Sequence, residues 1–469
     1  MTQHGATIPS NTELGGKVSA TYQPASGSDD PDLATADLLE ALPFSRFQLG
    51  LLLMTGATVV LDGIDNQILG LAAPSLIADW HISKVELGTV FAVGFAGMAA
   101  GTVIAGWIGD RFGRKIALVL GVLAFAIATL LTGYSRSLFE MGALRLIAGL
   151  GLGGVPGTAA ALIGEYMPAR FRAAAISFGI ICVAIGGIIG GFAAAAILPT
   201  HGWRSFFYVG GLVPLVGAFF LLWKLPESPR FLAARPRRHA ELARNLGRMG
   251  LSQPRMFVET LAMDRKGTHI PGRALFGSEL RRDTLALCAA LFMGLFLIYS
   301  MFNWAPTLLF SNGFALELTH SGLTAFNIGG AVGSVIAGFA MTRLGSRRVL
   351  IPLTIIAAFV CAGLAVSPIN PGAFTSLLVA LLVLGLTGST VQSTIYAVAS
   401  HAFPTSLRAR GIGVMAGAGR LGAMLSAFAG ADLVDWGGAA FFTVLGVVLL
   451  VQAICLALLR NHIPAASAA

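Results

Sequence analysis

The sequence predicts an all-α membrane protein of twelve transmembrane helices in two six-helix halves, and three observations carry that prediction. Of 469 residues, 55% are hydrophobic and only 11% charged, with a mean hydropathy of +0.79, whereas a soluble domain carries roughly 25% charged residues. Twelve apolar segments recur along the chain, each near the roughly 20 residues that a helix needs to cross a bilayer. The last six repeat sequence marks of the first six at a near-constant offset.

Residues 1–45 are polar and bear Ser, Pro and Asp, with no basic stretch leading into an apolar one; a disordered tail without a cleavable signal peptide is expected. Six spans follow at about 47–78, 85–108, 116–134, 138–167, 173–198 and 205–224. An arginine-rich polar stretch separates them from six more at 284–310, 318–341, 349–367, 373–402, 411–432 and 438–459. The expected organisation is a cytoplasmic tail at 1–45, a first half at 46–224, a basic cytoplasmic loop at 225–283, a second half at 284–460 and a tail at 461–469. Cys182, Cys288, Cys361 and Cys455 all sit inside apolar runs without metal-ligand spacing, which fits small core residues rather than disulfides or a metal site.

Charge orients the bundle. With the N-terminus placed in the cytoplasm, 26 of the 31 Lys and Arg residues fall on that side. The exceptions are Lys84, Arg136, Arg145, Arg204 and Arg420. The positive-inside rule therefore puts both termini in the cytoplasm, and the net charge of +9 reads as a topology signal and a match to anionic lipid, not as nucleic-acid binding. Trp80, Trp203, Trp223 and Trp436 fall at span ends, as interfacial anchoring predicts.

The halves repeat. Gly106, Arg111, Gly113 and Lys115 align with Gly338, Arg343, Gly345 and Arg347 at a constant offset of 232, and Pro168, Arg172 and Ala173 with Pro404, Arg408 and Ala409 at 236. Both matches fall in loops of the same side, which fits a duplicated bundle whose substrate sits between the halves near the midplane.

The run Gly106-Trp-Ile-Gly-Asp110-Arg111-Phe-Gly113-Arg114-Lys115 resembles the loop signature of the major facilitator superfamily, G-x-x-x-D-R-x-G-R-[KR]. A helix end, a glycine turn and cations beside one carboxylate suit a breakable cytoplasmic latch, although the same charges serve topology alone. The second copy has Thr342 in place of the aspartate, so a weaker latch is expected there. Arg145 with Gly149, Gly151 and Gly153 resembles the superfamily's fourth-helix motif; the glycines by themselves only permit close helix contact. Pro226-Glu227-Ser228-Pro229-Arg230 is similar to the sugar-porter branch. Asp62-Gly63-Ile64-Asp65, with Asn303-Trp304-Ala-Pro306 and Gly417-Ala-Gly419-Arg420-Leu-Gly422, resembles instead the aromatic acid:proton symporter family, over about residues 46–460. That resemblance implies import of benzoate-, hydroxybenzoate- or phenylpropionate-type acids with protons, across a bacterial inner membrane.

Asp62 and Asp65 are three apart in mid-span and share one helical face. Ionisable groups at that depth are costly unless paired or wet and normally mark transport paths. Two crowded carboxylates in a low dielectric resist being ionised together, which fits proton coupling; a salt bridge to a helix of the same half is the alternative. Arg420 has Ala184 as its equivalent in the first half, so the architecture does not require an arginine there. Its guanidinium suits two-point contact with a carboxylate, or else a partner for Asp62 or Asp65. By resemblance Arg145 is a candidate in substrate or proton coupling. Glu165, about 30 Å from Arg145 along one helix, is expected near Asp110 and Arg172 in the cytoplasmic charge network with Arg111 and Arg114, with a purely structural role equally open. Tyr299, Trp304, Phe326 and Tyr396 can stack on an aromatic ring, although each also suits core packing. His401 is read as structural.

The leading expectation is a proton-coupled secondary transporter for a small aromatic carboxylate, working by alternating access and functional as a monomer. A porter for a sugar or another organic solute is the alternative, favoured by the Pro226–Arg230 run and disfavoured by Arg420 and the aspartate pair. A membrane-embedded enzyme would need a nucleophile–base or metal constellation, and the sequence has neither HExxH nor GxSxG; a sensor would need a soluble output domain longer than the basic loop. No cofactor or ATP-binding loop is expected.

Overall fold

The computed structural model describes residues 44–250 and 272–465. Every regular element among the described residues is helical. The disorder expected of residues 1–43, and the arginines at 255 and 265, lie outside them.

Eleven of the described helices are long and apolar enough to cross a membrane. The first five are α1 (Arg46–Trp80), α2 (Lys84–Phe112), α3 (Arg114–Thr132), α4 (Leu138–Tyr166) and α5 (Ala169–Lys224). The remainder are α6 (Arg281–Ser311), α7 (Leu316–Leu344), α8 (Ser346–Val366), α9 (Pro371–Ala402), α10 (Thr405–Asp435) and α11 (Gly438–Leu458). Sequence sets their ends: Ser45 with Gln48, and Ser83 with Glu86, form capping boxes that start α1 and α2. Gly113, at φ 110°, separates α2 from α3 in a conformation that side chains resist.

The main departure from expectation is α5. At 56 residues it measures about 84 Å, twice the roughly 40–45 Å of a whole bilayer. Gly202, at φ 74° and ψ 172°, breaks it, so the spans expected at 173–198 and 205–224 are two arms of one helical element joined without a loop. Two spans read as uniform are interrupted instead. Helix α4 pauses at Gly153–Gly154 between Leu138–Leu152 and Val155–Tyr166, and α9 carries a π-turn over Gly385–Ser389. The stretch read as a loop is partly helical as well, at Pro229–Ala233 and His239–Arg248.

Helices α1–α5 pack into one bundle and α6–α11 into another, and they meet through α1 on α6, α2 on α10 and α5 on α7. A continuous apolar core runs from Leu51 to Leu449 through both bundles. At the α1–α6 crossing a β-carbon on Gly70 would stand 2.1 Å from the Phe302 carbonyl oxygen, so only glycine permits that approach. Toward the same end, Lys84 and Asp435 form an ion pair of 2.5 Å between the bundles. The start of α1, the connection after α5 and the chain beyond α11 all lie at the other end. Gln48 donates to the Tyr166 carbonyl, Tyr166 donates to the Glu227 carbonyl, and the Asp283 carboxylate accepts from the Arg460 backbone.

Candidate functional site

A cavity lies in the first bundle where it faces the second, lined by Asp65, Asn66 and Leu69 of α1, Phe91, Phe95 and Met98 of α2, Arg145 and Leu152 of α4, and by Asn303 of α6 from the second bundle. Glycines bring its walls together: a β-carbon on Gly149 would stand 2.2 Å from the Gly94 carbonyl oxygen, which locks α4 against α2.

The expected aspartates share a face of α1 but not a partner. Asp65 accepts a hydrogen bond from Thr129 and lies 3.5 Å from the Arg145 guanidinium. Arg145 also donates to Thr129 at 2.7 Å and Thr132 at 3.1 Å, and stands 5.4 Å from the Phe207 ring centre. For Asp65, then, the alternative of a salt bridge within the first bundle is the observed geometry; one charge offsets the other, two hydroxyls accept from Nη2, and Nε is left without a hydrogen-bond partner. Asp62 is as deeply buried, at 2% exposure, but its Oδ1 has no hydrogen-bond partner.

Arg420 of α10 is half-buried and donates to the Tyr299 hydroxyl at 3.0 Å and the Met98 sulfur at 3.4 Å. Among the described residues no carboxylate lies within ion-pair distance of it, although Asp62, Tyr299 and Tyr396 are within its electrostatic reach. The Tyr299 hydroxyl also accepts from Asn66 at 3.4 Å, so a polar chain crosses from α1 through α6 to α10. Phe95 meets the Tyr299 ring edge-on at 4.5 Å.

The other expected aromatics sit differently. Trp304 is fully buried, donates its indole N–H to the Ser426 carbonyl and packs against Phe91, outside the cavity lining. Phe326 is fully buried against Phe302. Tyr396 is partly buried on the α9 side of Arg420, and His401 is exposed at the end of α9.

The latch residues gather at the end that bears the connection. Arg114 pairs with Asp110 at 3.1 Å and approaches Glu165 at 3.9 Å, Ser228 donates to Glu165, and Arg172 donates to the Met167 carbonyl at 3.5 Å. Arg111 packs over Trp107, and its carbonyl accepts from Arg235 at 2.5 Å. Gly106 is open around its α-carbon, whereas Gly113 faces the Glu227 carboxylate. That carboxylate accepts from the Lys115 and Ser228 backbones at 3.0 and 2.9 Å, and burial pushes it above the usual range despite these bonds. In the second bundle the chain beyond α11 fills the equivalent place. Ile463 exchanges hydrogen bonds with Ser346 beside Gly345. Residues 461–465 are therefore a docked strap and not a free tail.

Sequence reasoning passed over Thr129, Thr132 and Asn66, and took Asn303 only as a family mark and Glu227 only as a branch mark. Polar side chains alone in apolar runs were the available signal. It also missed the amide pair of Gln67 and Asn327, whose shorter bond is 2.8 Å between the bundles.

The Major Facilitator Superfamily profile matches residues 55–323 and 311–468. The gallate transporter of Pseudomonas putida is 34% identical, over 92% of this chain and 96% of its own length. The 4-hydroxybenzoate transporter PcaK of Pseudomonas aeruginosa is 33% identical, over 85% and 89%. Among solved structures, the partially occluded inward-open xylose transporter XylE from E. coli superposes with a TM-score of 0.72 at 18% identity, over 87% of this chain and 97% of that one.

Proposed function

The chain belongs to the major facilitator superfamily of membrane transporters, and from that premise we propose that it imports a small aromatic carboxylate with protons by alternating access. One observation carries the substrate class: Arg420 meets a phenol and a thioether, not a carboxylate, while Arg145 is already paired with Asp65. A half-buried guanidinium with no carboxylate in contact is an anchor for an anionic ligand, and the ring of that ligand is placed against the apolar wall of Phe91, Phe95 and Met98. The names of the gallate and 4-hydroxybenzoate relatives support the same class.

In this reading Asp62 carries the proton, because a carboxyl there can shed its charge where its Oδ1 finds no donor. Asp65 and Arg145 hold the wall of the site. The two arms of α5 give twelve crossings, with 46–224 and 284–460 as the rocking halves and both termini in the cytoplasm of a bacterial inner membrane. The Gly70 crossing and the Lys84–Asp435 pair close the outer side, so this conformation faces inward. Asp110, Arg114 and Glu165, tied to Glu227 through Ser228, form the charge network of the cytoplasmic latch. A monomer suffices for this cycle.

Uptake of radiolabelled 4-hydroxybenzoate and xylose into proteoliposomes, with and without an imposed pH gradient, tests the proposal. The acid is expected to accumulate only with the gradient, and Asp62→Asn to abolish accumulation while sparing acid exchange. Uptake of xylose in place of the acid would install the sugar-porter reading, and gradient-driven accumulation by Asp62→Asn would remove the proton role.

A further inference from the structure

Three polar atoms on residues that line the cavity have no hydrogen-bond partner: Arg145 Nε and one atom on each of two asparagines. Asn66 spends its amide N–H on Tyr299, but its Oδ1 is buried without a partner. Asn303, at 2% exposure, leaves its Nδ2 buried and unpartnered. Both line the cavity with Phe91 and Phe95. The contacts fix their relation: α1 and α6 run side by side with Asn66 opposite Tyr299 and Gly70 opposite Asn303. The two asparagines, one carrying an orphaned acceptor and the other an orphaned donor, are thus set about one helical turn apart along the α1–α6 contact. Buried amide groups are almost always bonded, because leaving one unmade carries its full desolvation cost. An apolar ring alone would leave both orphaned; a ring hydroxyl satisfies either, donating to Asn66 and accepting from Asn303.

We infer that Asn66 and Asn303 form a ring-hydroxyl subsite that makes the protein select hydroxylated aromatic acids over the unsubstituted acid. The inference rests on the aromatic carboxylate reading and adds its specificity determinant. A site built to bond a substrate hydroxyl rejects the analogue lacking it, since the protein's own polar groups are then stranded. A neighbouring hydroxyl pair on the ring engages both asparagines at once, so selection rises with a second adjacent hydroxyl.

The test measures binding of benzoate, 3-hydroxybenzoate, 4-hydroxybenzoate and 3,4-dihydroxybenzoate to the purified protein in nanodiscs by calorimetry. Wild type is expected to prefer at least one hydroxylated acid over benzoate by about tenfold or more, and Asn303→Ala to cut that ratio about tenfold. Asn303→Ser, which keeps a hydroxyl, is expected to restore part of the ratio. Equal binding of all four acids by wild type overturns the inference and leaves the carboxylate reading standing, as does a ratio unmoved by Asn303→Ala. Binding of none of them overturns the carboxylate reading itself. Should Asn303→Ala fail to fold, the wild-type ratio still decides.

Discussion

Replacing Arg420 tests the anchor directly. Its hydrogen-bond partners are a hydroxyl at 3.0 Å and a sulfur at 3.4 Å, so alanine breaks no contact ion pair in the empty protein; it also removes the charge that reaches Asp62, but the larger loss falls on the ligand. Removing one partner of a buried, hydrogen-bonded ion pair costs about 3–5 kcal/mol. Arg420 is half-buried, which places the loss at the lower end. At 1.4 kcal/mol per decade, Arg420→Ala is expected to weaken binding of an aromatic acid on the order of a hundredfold. Arg420→Lys keeps the charge and loses the planar two-point geometry, so it recovers only part. The corresponding neutral amide is expected to bind wild type poorly and to be far less sensitive to the change. Calorimetry in nanodiscs reads all three, with thermal unfolding as the control for folding. Full acid affinity in Arg420→Ala, or equal binding of acid and amide by wild type, would falsify the anchor.

Other outcomes follow from contacts at the two ends. Gly113→Ala puts a β-carbon 2.2 Å from Glu227 at a φ of 110°, and strain there costs about 1–3 kcal/mol. A clear fall in Tm is expected, against little change for Gly106→Ala, whose surroundings are open; equal shifts would refute the account. The Lys84–Asp435 pair is 21% and 54% exposed, so breaking it weakens the contact between the bundles at that end by only about 0.2–1 kcal/mol. Spin-label distances between α2 and α10 at that end are expected to lengthen modestly in Lys84→Ala and to recover in the charge-reversed double variant. Burial holds His462 below its ordinary value of 6.5. Its contribution is therefore fully present above 6.5 and lost as the pH falls through the lowered value. Hydrogen-exchange protection at 460–465, corrected for the intrinsic pH dependence of amide exchange, is expected to fall on acidification in wild type but not in His462→Gln, and pH-independent protection in wild type would count against the role of His462 in the docked strap.

The helices were legible because each must satisfy its own backbone inside lipid, so apolar runs and their polar boundaries suffice. The bend at Gly202 was not: it keeps both arms helical, and a single glycine among 59 carries no mark of its conformation. At the site, Asp62, Asp65, Arg145 and Arg420 stood out as charges in apolar surroundings. Their pairing did not. Asp65 and Arg145 are 80 residues apart, and Thr129, which joins them, and Thr132, which accepts from Arg145, belong to yet another helix. Trp304 fitted a ligand stack by type alone, whereas its place is decided by Gly430, which leaves room for the indole. Glu227 was visible as a motif, but its bonds to the backbone after Gly113 depend on how the chain returns once α5 ends.

The four charges buried at the centre also have an electrical meaning. Asp62 and Asp65 together cancel Arg145 and Arg420, so the empty carrier moves no net charge when all four are ionised. Loading a carboxylate makes the moving unit negative, and taking a unit negative charge inward against an inside-negative potential costs about 2.3 kcal/mol per 100 mV. In the proposed cycle, one proton at Asp62 would cancel that work. A carrier with this core, cycling one acid with one proton, draws on the pH difference alone and runs at the same rate in a depolarised cell; every further proton would convert membrane voltage into accumulated substrate.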